Sequence, residues 1–334
     1  MVKVCLLGYG GIGHVHANGY SLLEKEGKAK LLGVCDINPD VFTKEIAINI
    51  SDDSGDKQLS FNTYTDLDEM LAKEQPDMVD ICLPTFLHKE KAVYLLNKGY
   101  HVFCEKPMAL TYAETQEMLA AAKANGKELM IGQCLHFFSE YEYLKDLVVN
   151  GTYGKAISAF FQRLSPPPVW AWENWYMNSN LSGGCIQDLH IHDIDMCRYL
   201  FGNPHTVSCK TKDGFGKWDC AHSTLIFDDL HATVIGDWSL QNAPFEPSYR
   251  VAFEKATVIC VNGVVKVYPA EGEGFTADIQ PKDGYAAEVS YFMDVIGGAE
   301  NTKNRADSAS LSVKLIETLR NSANQGGKQL PFEV

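Results

Sequence analysis

Short apolar runs and helix-spaced apolar positions alternate along the first third of the chain. Val2–Leu7 is apolar but for Lys3 and predicts a buried strand. A helix is predicted over residues 11–26, a strand over 30–35, and a second helix beginning at Pro39. Residues 52–60 are polar with a glycine and read as a surface loop. Residues 78–83 form a strand stopped by Pro84, 86–98 a helix closed by Gly99, and 100–104 another strand. The helix over 111–125 opens on Thr111, with Glu114 completing a capping box and Gly126 following. A strand over 129–131 ends the series. Strands alternating with helices predict a parallel sheet with helices on both faces, an α/β fold.

The pattern changes near residue 150. Strands are predicted over 156–164, 206–212, 222–227, 232–238, 249–253, 257–261 and 264–268. Asn262-Gly263 marks a tight hairpin, and Asp228-Asp229 marks another. Successive hairpins predict an antiparallel sheet, joined by one helix over 187–200 and a last helix over 308–321. We therefore expect two domains: residues 1–125, binding a dinucleotide, and residues 126–334, an α+β domain for substrate and assembly.

Composition narrows the partners. The 334 residues carry a formal net charge of −14 and no long basic run, which argues against nucleic acid or an anionic membrane surface. No apolar stretch is long enough to suggest a membrane span, and the first residues lack a signal-peptide build. The ten cysteines include no Cys-x-x-Cys pair, and Cys5, Cys35 and Cys82 sit in strand-like runs. The expectation is a cytoplasmic protein with no disulfide framework and no bound metal.

The first candidate chemistry is Gly8-Tyr9-Gly10-Gly11-Ile12-Gly13, which fits Gly-x-Gly-x-x-Gly between a strand and a helix. Gly8 permits the turn, Gly10 lets backbone approach a pyrophosphate, and Gly13 lets helix pack on strand. The helix start at Gly11 and Ile12 offers free N–H groups to phosphates. The second strand ends in Asp36, roughly 20 residues beyond Gly13, suited to accept from ribose hydroxyls. A carboxylate there repels a 2′-phosphate, and Ile37-Asn38 bring no arginine, so NAD is expected in preference to NADP.

Two further stretches suggest catalysis. Glu105-Lys106-Pro107 stands at the carboxyl end of a strand, where ligands of open α/β sheets bind, and the proline restricts the backbone of Lys106. A solvated ion pair is the plain alternative. In the predicted helix 187–200, Asp188 and His192 differ by ~40° around the axis and Asp195 lies ~60° back from His192, so all three share a face. His190 points ~160° away from His192, which makes a poor metal pair on a helix.

These motifs, in this order, resemble the glucose–fructose oxidoreductase/inositol dehydrogenase (Gfo/Idh/MocA) family. The series runs from the glycine motif with His16, through Pro84-Thr85 with His88, to Glu105-Lys106-Pro107. Gly183-Gly184-x-x-x-Asp188-x-x-x-His192-x-x-Asp195 and Tyr285-x-x-Glu288-x-x-x-Phe292 follow. The resemblance implies a Rossmann domain, with Pro84, Thr85, His88, Glu105 and Lys106 near the cofactor, and a second domain with a large, open-faced, mainly antiparallel sheet. It implies NAD(P)-dependent interconversion of an alcohol and a ketone on a sugar, polyol or cyclitol, with Lys106, Asp188 and His192 catalytic. Asp195 and Tyr285 are then further candidates for substrate hydroxyls, and His136 is a weaker one. Assembly as a homodimer or homotetramer is expected through the open sheet.

Some positions depart from the family's habit. Gln133–Phe137 lacks a common arginine or asparagine, and Trp175-Tyr176 stands where many members have Trp-Arg. Trp170, Trp172, Trp175 and Tyr176 could line a sugar cleft or make an interdomain or subunit contact. Two other functions stay open: NAD-assisted glycoside cleavage without net NADH, and a non-catalytic nucleotide-binding regulator.

Overall fold

Six parallel strands make the first sheet of the computed structural model, which describes residues 1–43 and 61–334. They are β1 (Val2–Leu7), β2 (Ala29–Cys35), β3 (Asn62–Tyr64), β4 (Met78–Ile81), β5 (His101–Glu105) and β6 (Leu129–Gly132). Helices α1 (Gly11–Lys25), α2 (Leu67–Glu74), α3 (Thr85–Asn97) and α4 (Tyr112–Asn125) connect them. The strand order is β3-β2-β1-β4-β5-β6, so the direction of winding reverses between β1 and β4. Ligands of such sheets bind beyond the carboxyl ends at that reversal. Leu7, Ile81 and Cys104 lie in one row across β1, β4 and β5, and the residues just after them share one edge.

Local chemistry explains several boundaries. Thr111 and Glu114 form the expected reciprocal capping box, and Gly126 ends α4 at φ 58°. β3 is three residues, with Asn62 and Thr63 exposed and Tyr64 partly buried, too short to announce itself by periodicity, and α2 is capped by Asp66 accepting from the Glu69 N–H. The helix expected from Pro39 is a single 3-10 turn over Pro39–Phe42, with Asn38 as its cap. The loop expected over 52–60 lies outside the described residues.

The second sheet has nine strands in the order β14-β13-β12-β11-β7-β10-β9-β8-β15. Helix α5 (Ser139–Asn150) precedes β7 (Ala156–Leu164), and α6 (Ser179–Ser182), α7 (Cys185–Asp188) and α8 (Ile191–Phe201) precede β8 (Thr206–Lys212). Then come β9 (Cys220–Ile226), β10 (His231–Asp237), β11 (Glu246–Phe253), β12 (Ala256–Val261), β13 (Val264–Pro269) and β14 (Phe275–Thr276). Helices α9 (Gly284–Ile296) and α10 (Ala306–Asn324) and strand β15 (Leu330–Pro331) close the chain. Along β10 the residues alternate, with Ala232, Val234 and Gly236 buried and their neighbours not, the mark of a sheet covered on one face. Asn262 (φ 48°) and Gly263 (φ 79°) make the β12–β13 hairpin in the left-handed conformations that a two-residue turn needs. The sheet is mainly antiparallel, but its central pair, β7 and β10, is parallel. Hairpin signals, which report only neighbours in sequence, could not reveal that pair.

The chain divides into two units: Met1–Cys134 with Trp170–Glu173 and Asp283–Ser310, and Leu135–Val169 with Asn174–Lys282 and Leu311–Val334. A single boundary after residue 125 therefore misses the return of α9 to the first unit. There α9 packs on α1, where a Cβ on Gly19 would lie 3.4 Å from Ala286 Cα. That long-range contact has no local signal. The helix expected over 187–200 is also corrected. It stops at Asp188 and resumes at Ile191, and the His190 N–H reaches back to the Cys185 carbonyl instead of Ile186.

Candidate functional site

The glycine loop follows β1 at the winding reversal. Gly8 has φ +96°, and a Cβ there would sit 2.5 Å from the Cys82 carbonyl oxygen. A Cβ on Gly13 would meet the Gly8 oxygen at 2.3 Å, whereas one on Gly10 would meet nothing within 4 Å. So Gly8 and Gly13 are required by the protein's own packing, while Gly10 is bare on an open side. Gly10 is the N-cap of α1 and brings no side chain to that helix start, so the N–H groups of Gly11, Ile12 and Gly13 have no side-chain cap. Asp36 is tied to the same loop: one carboxylate oxygen accepts from the Tyr9 N–H at 2.8 Å and the other from the Asn38 N–H at 2.9 Å. Pro84 and Thr85 begin α3 at the adjoining strand end. A bare glycine, a helix N-terminus and a carboxylate at the second strand's end suit a dinucleotide.

Lys106 stands one residue beyond β5, half-buried, and the Lys106–Pro107 peptide is cis. Glu105 beside it is 5% exposed and committed inward. Its Oε2 accepts from the Lys106 N–H at 3.1 Å, and its Oε1 faces His16 Nε2 at 3.0 Å. Gly132 makes room for that carboxylate, since a Cβ there would lie 2.8 Å from Oε1. Glu105 therefore anchors the turn through both of its oxygens. The same holds for His88, whose ring nitrogens lie 2.8 Å from the Pro107 carbonyl and 2.7 Å from the Leu83 carbonyl. It clasps two loops at the sheet edge.

His16 is 1% exposed and lies beneath the loops, too deep to touch a nucleotide. Its Nδ1 meets Asp80 Oδ2 at 2.7 Å, and that oxygen also accepts from the Tyr20 hydroxyl at 2.8 Å. Burial alone would lower the imidazolium's pKa, but the Cys82 sulfur and the Asp80 carboxylate hold it well above the ordinary value. Cys82 is itself pushed far up by burial and stays a thiol, so Asp80 carries the charge that matters. Asp80 is a residue that sequence reading missed, and Glu288 stood in a motif with no role given to it. A lone aspartate inside Met78-Val79-Asp80-Ile81, a wholly buried strand, was the available signal.

Glu288, on α9, is fully buried, and neither carboxyl oxygen has a hydrogen-bond partner among the described residues. Burial, and then the Glu105 charge, push its pKa well above the usual carboxylate range. An unfolded chain loses this proton near the ordinary value of 4.5, while the folded protein keeps it. Above that pH the folded state binds the extra proton, so stability falls as pH rises toward the folded pKa. Glu288→Gln removes this cost. Urea denaturation should find the variant about 1 kcal/mol or more stabler than the parent at pH 8, and level with it near pH 4.5. A variant no stabler at pH 8 would contradict the neutral acid.

In the second unit, His192 lies in the first turn of α8 and Asp188 ends α7. From Cys185 to Arg198 every residue is buried except His192, which is half-buried. Gly184 (φ +73°) lets the backbone before α7 come close to β9's approach, for a Cβ there would lie 2.5 Å from the Lys217 carbonyl oxygen. His190 turns inward: its Nε2 is 2.8 Å from Ser223 Oγ, and a Cβ on Gly236 would strike its Cβ at 2.8 Å. Burial pushes the His190 imidazolium down to about 3, so it is neutral. Asp195 and His136 are corrected. His136 Nε2 meets Asp195 Oδ2 at 2.7 Å, and Ser312 donates to Oδ1 at 2.5 Å. Burial would raise the Asp195 pKa, but His136, Arg198 and Ser312 hold it below the usual range. This pair braces α8 from inside, with Asp195 3% and His136 4% exposed, and neither offers a group to a polyol. Trp175 stacks on Tyr176 at 4.0 Å, and Tyr176 packs edge-on to Trp238, so these two rings belong to this unit's core. Trp170 and Trp172 are exposed. Tyr285, at the start of α9 in the first unit, has its ring 6.1 Å from that of His16.

Residues 2–133 match the family model described as "Oxidoreductase family, NAD-binding Rossmann fold", and residues 141–259 match the "GFO/IDH/MocA C-terminal domain". The chain is 31% identical over 176 residues to the 2,7-anhydro-N-acetylneuraminate hydratase of Escherichia coli (strain K12), across 49% of this chain and 45% of that protein. It is 31% identical over 205 residues to the glucose-6-phosphate 3-dehydrogenase of Bacillus subtilis (strain 168), across 60% and 54%. The chain thus spans about half the length of these curated relatives. A levoglucosan dehydrogenase solved with NADH and levoglucosan shares the fold, with a TM-score of 0.83, 17% identity and 100% of both chains covered. Since the two family models together cover most of the sequence, the chain belongs to the Gfo/Idh/MocA family of NAD-binding oxidoreductases.

Proposed function

We propose that the protein is an NAD-dependent oxidoreductase interconverting a secondary alcohol and a ketone on a sugar, polyol or cyclitol. The observation that carries this reading is Lys106, held by a buried carboxylate at the strand edge that also bears the open glycine loop. Bound NAD supplies the hydride acceptor, or NADH the donor. Oxidising an alcohol also requires loss of its hydroxyl proton. Lys106 donates to the developing alkoxide and stabilises it, and His192 takes the proton, as an imidazole does well near neutral pH. Asp188 orients the imidazole or holds a neighbouring hydroxyl. Asp36 favours NAD over NADP, because a 2′-phosphate would meet its carboxylate. The protein works in the cytoplasm as a homodimer or homotetramer. No helix among the described residues is long and apolar enough to cross a membrane.

Sugars such as hexoses and their glycosides, cyclitols and the corresponding ketones, assayed by NADH absorbance with both cofactors, test the reading. Turnover of at least one sugar or cyclitol is expected, with kcat/KM about 10-fold or more higher for NAD than for NADP. A panel without NADH change overturns it. The relative named a hydratase favours a second reading, NAD-assisted cleavage. That reading predicts product release from a glycoside with no net NADH.

A further inference from the structure

We infer that His16, Asp80, Glu105 and Glu288 form a buried positioning device for Lys106, in which His16 is a lasting imidazolium between two carboxylates and Glu288 an un-ionised acid. The inference rests on the proposed role of Lys106 and adds how its direction is fixed. His16 faces Asp80 at 2.7 Å through Nδ1 and Glu105 at 3.0 Å through Nε2. Ionised carboxylates only accept hydrogen bonds, so both ring nitrogens must carry hydrogen for both contacts to hold. Glu105 then passes the constraint on, because its other oxygen takes the Lys106 N–H. Lys106 is thus tied by its own backbone to a carboxylate that cannot turn without breaking the His16 bond.

The charges make the arrangement interdependent. Asp80 and Glu105 already outnumber the single imidazolium. A third ionised carboxylate would leave two uncompensated negative charges in a buried site, a state strongly disfavoured by desolvation. Glu288, from α9, comes with His16 and Glu105 into a group whose ligand atoms lie within 4.8 Å of one another. It answers by keeping its proton. Among the described residues, Cys82 and Tyr285 also face the imidazole and Tyr20 faces its partner Asp80, and each is held in its neutral form by burial. His16, Glu105 and Glu288 could also embrace a cation, but the proton that Nε2 directs at Glu105 occupies the lone pair a metal would need.

The full chain with NAD, labelled with 15N in its histidine rings, provides the test. Both His16 nitrogens, assigned with His16→Gln, should show the doubly protonated signature from pH 6 to pH 9. A ring that titrates near the ordinary histidine value overturns the inference. Backbone hydrogen exchange at Lys106 should quicken about 10-fold or more in His16→Gln, and unchanged exchange overturns it. Should His16→Gln not fold, Glu105→Gln serves, since its amide cannot accept from both His16 and the Lys106 N–H. Stoichiometric zinc in the purified protein, whose chelation changes the His16 signal, also overturns it. None of these readings needs a sugar. If the substrate panel is silent while His16 stays doubly protonated and Lys106 amide exchange responds, only the oxidoreductase reading falls. If a sugar turns over but His16 titrates normally, only this inference falls.

Discussion

Replacing Lys106 by alanine should lower kcat on any active sugar by roughly 10²–10³-fold while the dissociation constant for NADH changes no more than a few fold. The size follows from the role. A positioned donor that meets charge only as the alkoxide develops acts on the transition state and hardly on the ground state, and deleting one such donor commonly costs this much. The separation of kcat from cofactor binding follows from the structure. The dinucleotide features, Gly10, the start of α1 and Asp36, are built from β1 and β2, whereas Lys106 extends from β5. Its backbone N–H is held by Glu105, and truncating the side chain keeps that bond. Lys106→Met, which keeps the length and loses the charge, should fall nearly as far as alanine. Steady-state rates together with NADH fluorescence titration measure both quantities. Full turnover in Lys106→Ala would remove the residue from the chemistry, and a collapse of NADH binding would reassign it to the cofactor.

How far the site could be read from sequence depends on the range of the interaction behind each feature. The glycine motif was legible because its demands are local. Gly13 packs on the Gly8 carbonyl five positions back and Gly8 takes the positive φ of the turn, so the motif carries a local spacing even though Gly8 also meets Cys82 from a distant segment. The Thr111–Glu114 box and the Asn262-Gly263 turn were legible for the same reason. Interactions between distant segments left weaker traces. Asp80 was visible as a charge in an apolar strand, but its partner His16 is 64 residues away and Glu288 lies beyond strands β7 to β14 of the second sheet. The helix expected over 187–200 misled in a specific way. An uninterrupted 3.6-residue repeat places Asp188, His192 and Asp195 on one face. In the fold, the His190 N–H slips back to Cys185, and the phase of the helix changes between Asp188 and Ile191. Asp195 is carried inward to His136 and Ser312 while His192 stays half-buried. What breaks the repeat is tertiary: His190 fits into the gap above Gly236 and bonds Ser223, both on strands far along the chain.

That break separates two histidines two residues apart, and their alanine variants should part in the same way. His192→Ala is expected to lower kcat/KM by roughly 10²-fold or more, the usual scale for losing a general base, and to leave thermal stability within a few degrees. The half-buried ring of His192 is the one side chain between Cys185 and Arg198 that is not enclosed, so its removal opens no core cavity. The pH profile should change as well. A base that must be neutral to accept the hydroxyl proton gives a rate that falls on the acid side, and this limb should flatten in His192→Ala over pH 5–8. His190→Ala should do the reverse. Its ring is fully buried and bonded to Ser223, so the substitution leaves a cavity and an unmet hydroxyl, costing about 2–4 kcal/mol of stability. At a temperature where this variant is still folded, it should keep the acid limb of the parent. Thermal denaturation and kcat/KM across pH, measured on both variants, separate the two roles. A His192→Ala protein that keeps its turnover and its acid limb would assign the proton to another group, and the family's remaining carboxylate in this segment, Asp188, would be the next to replace.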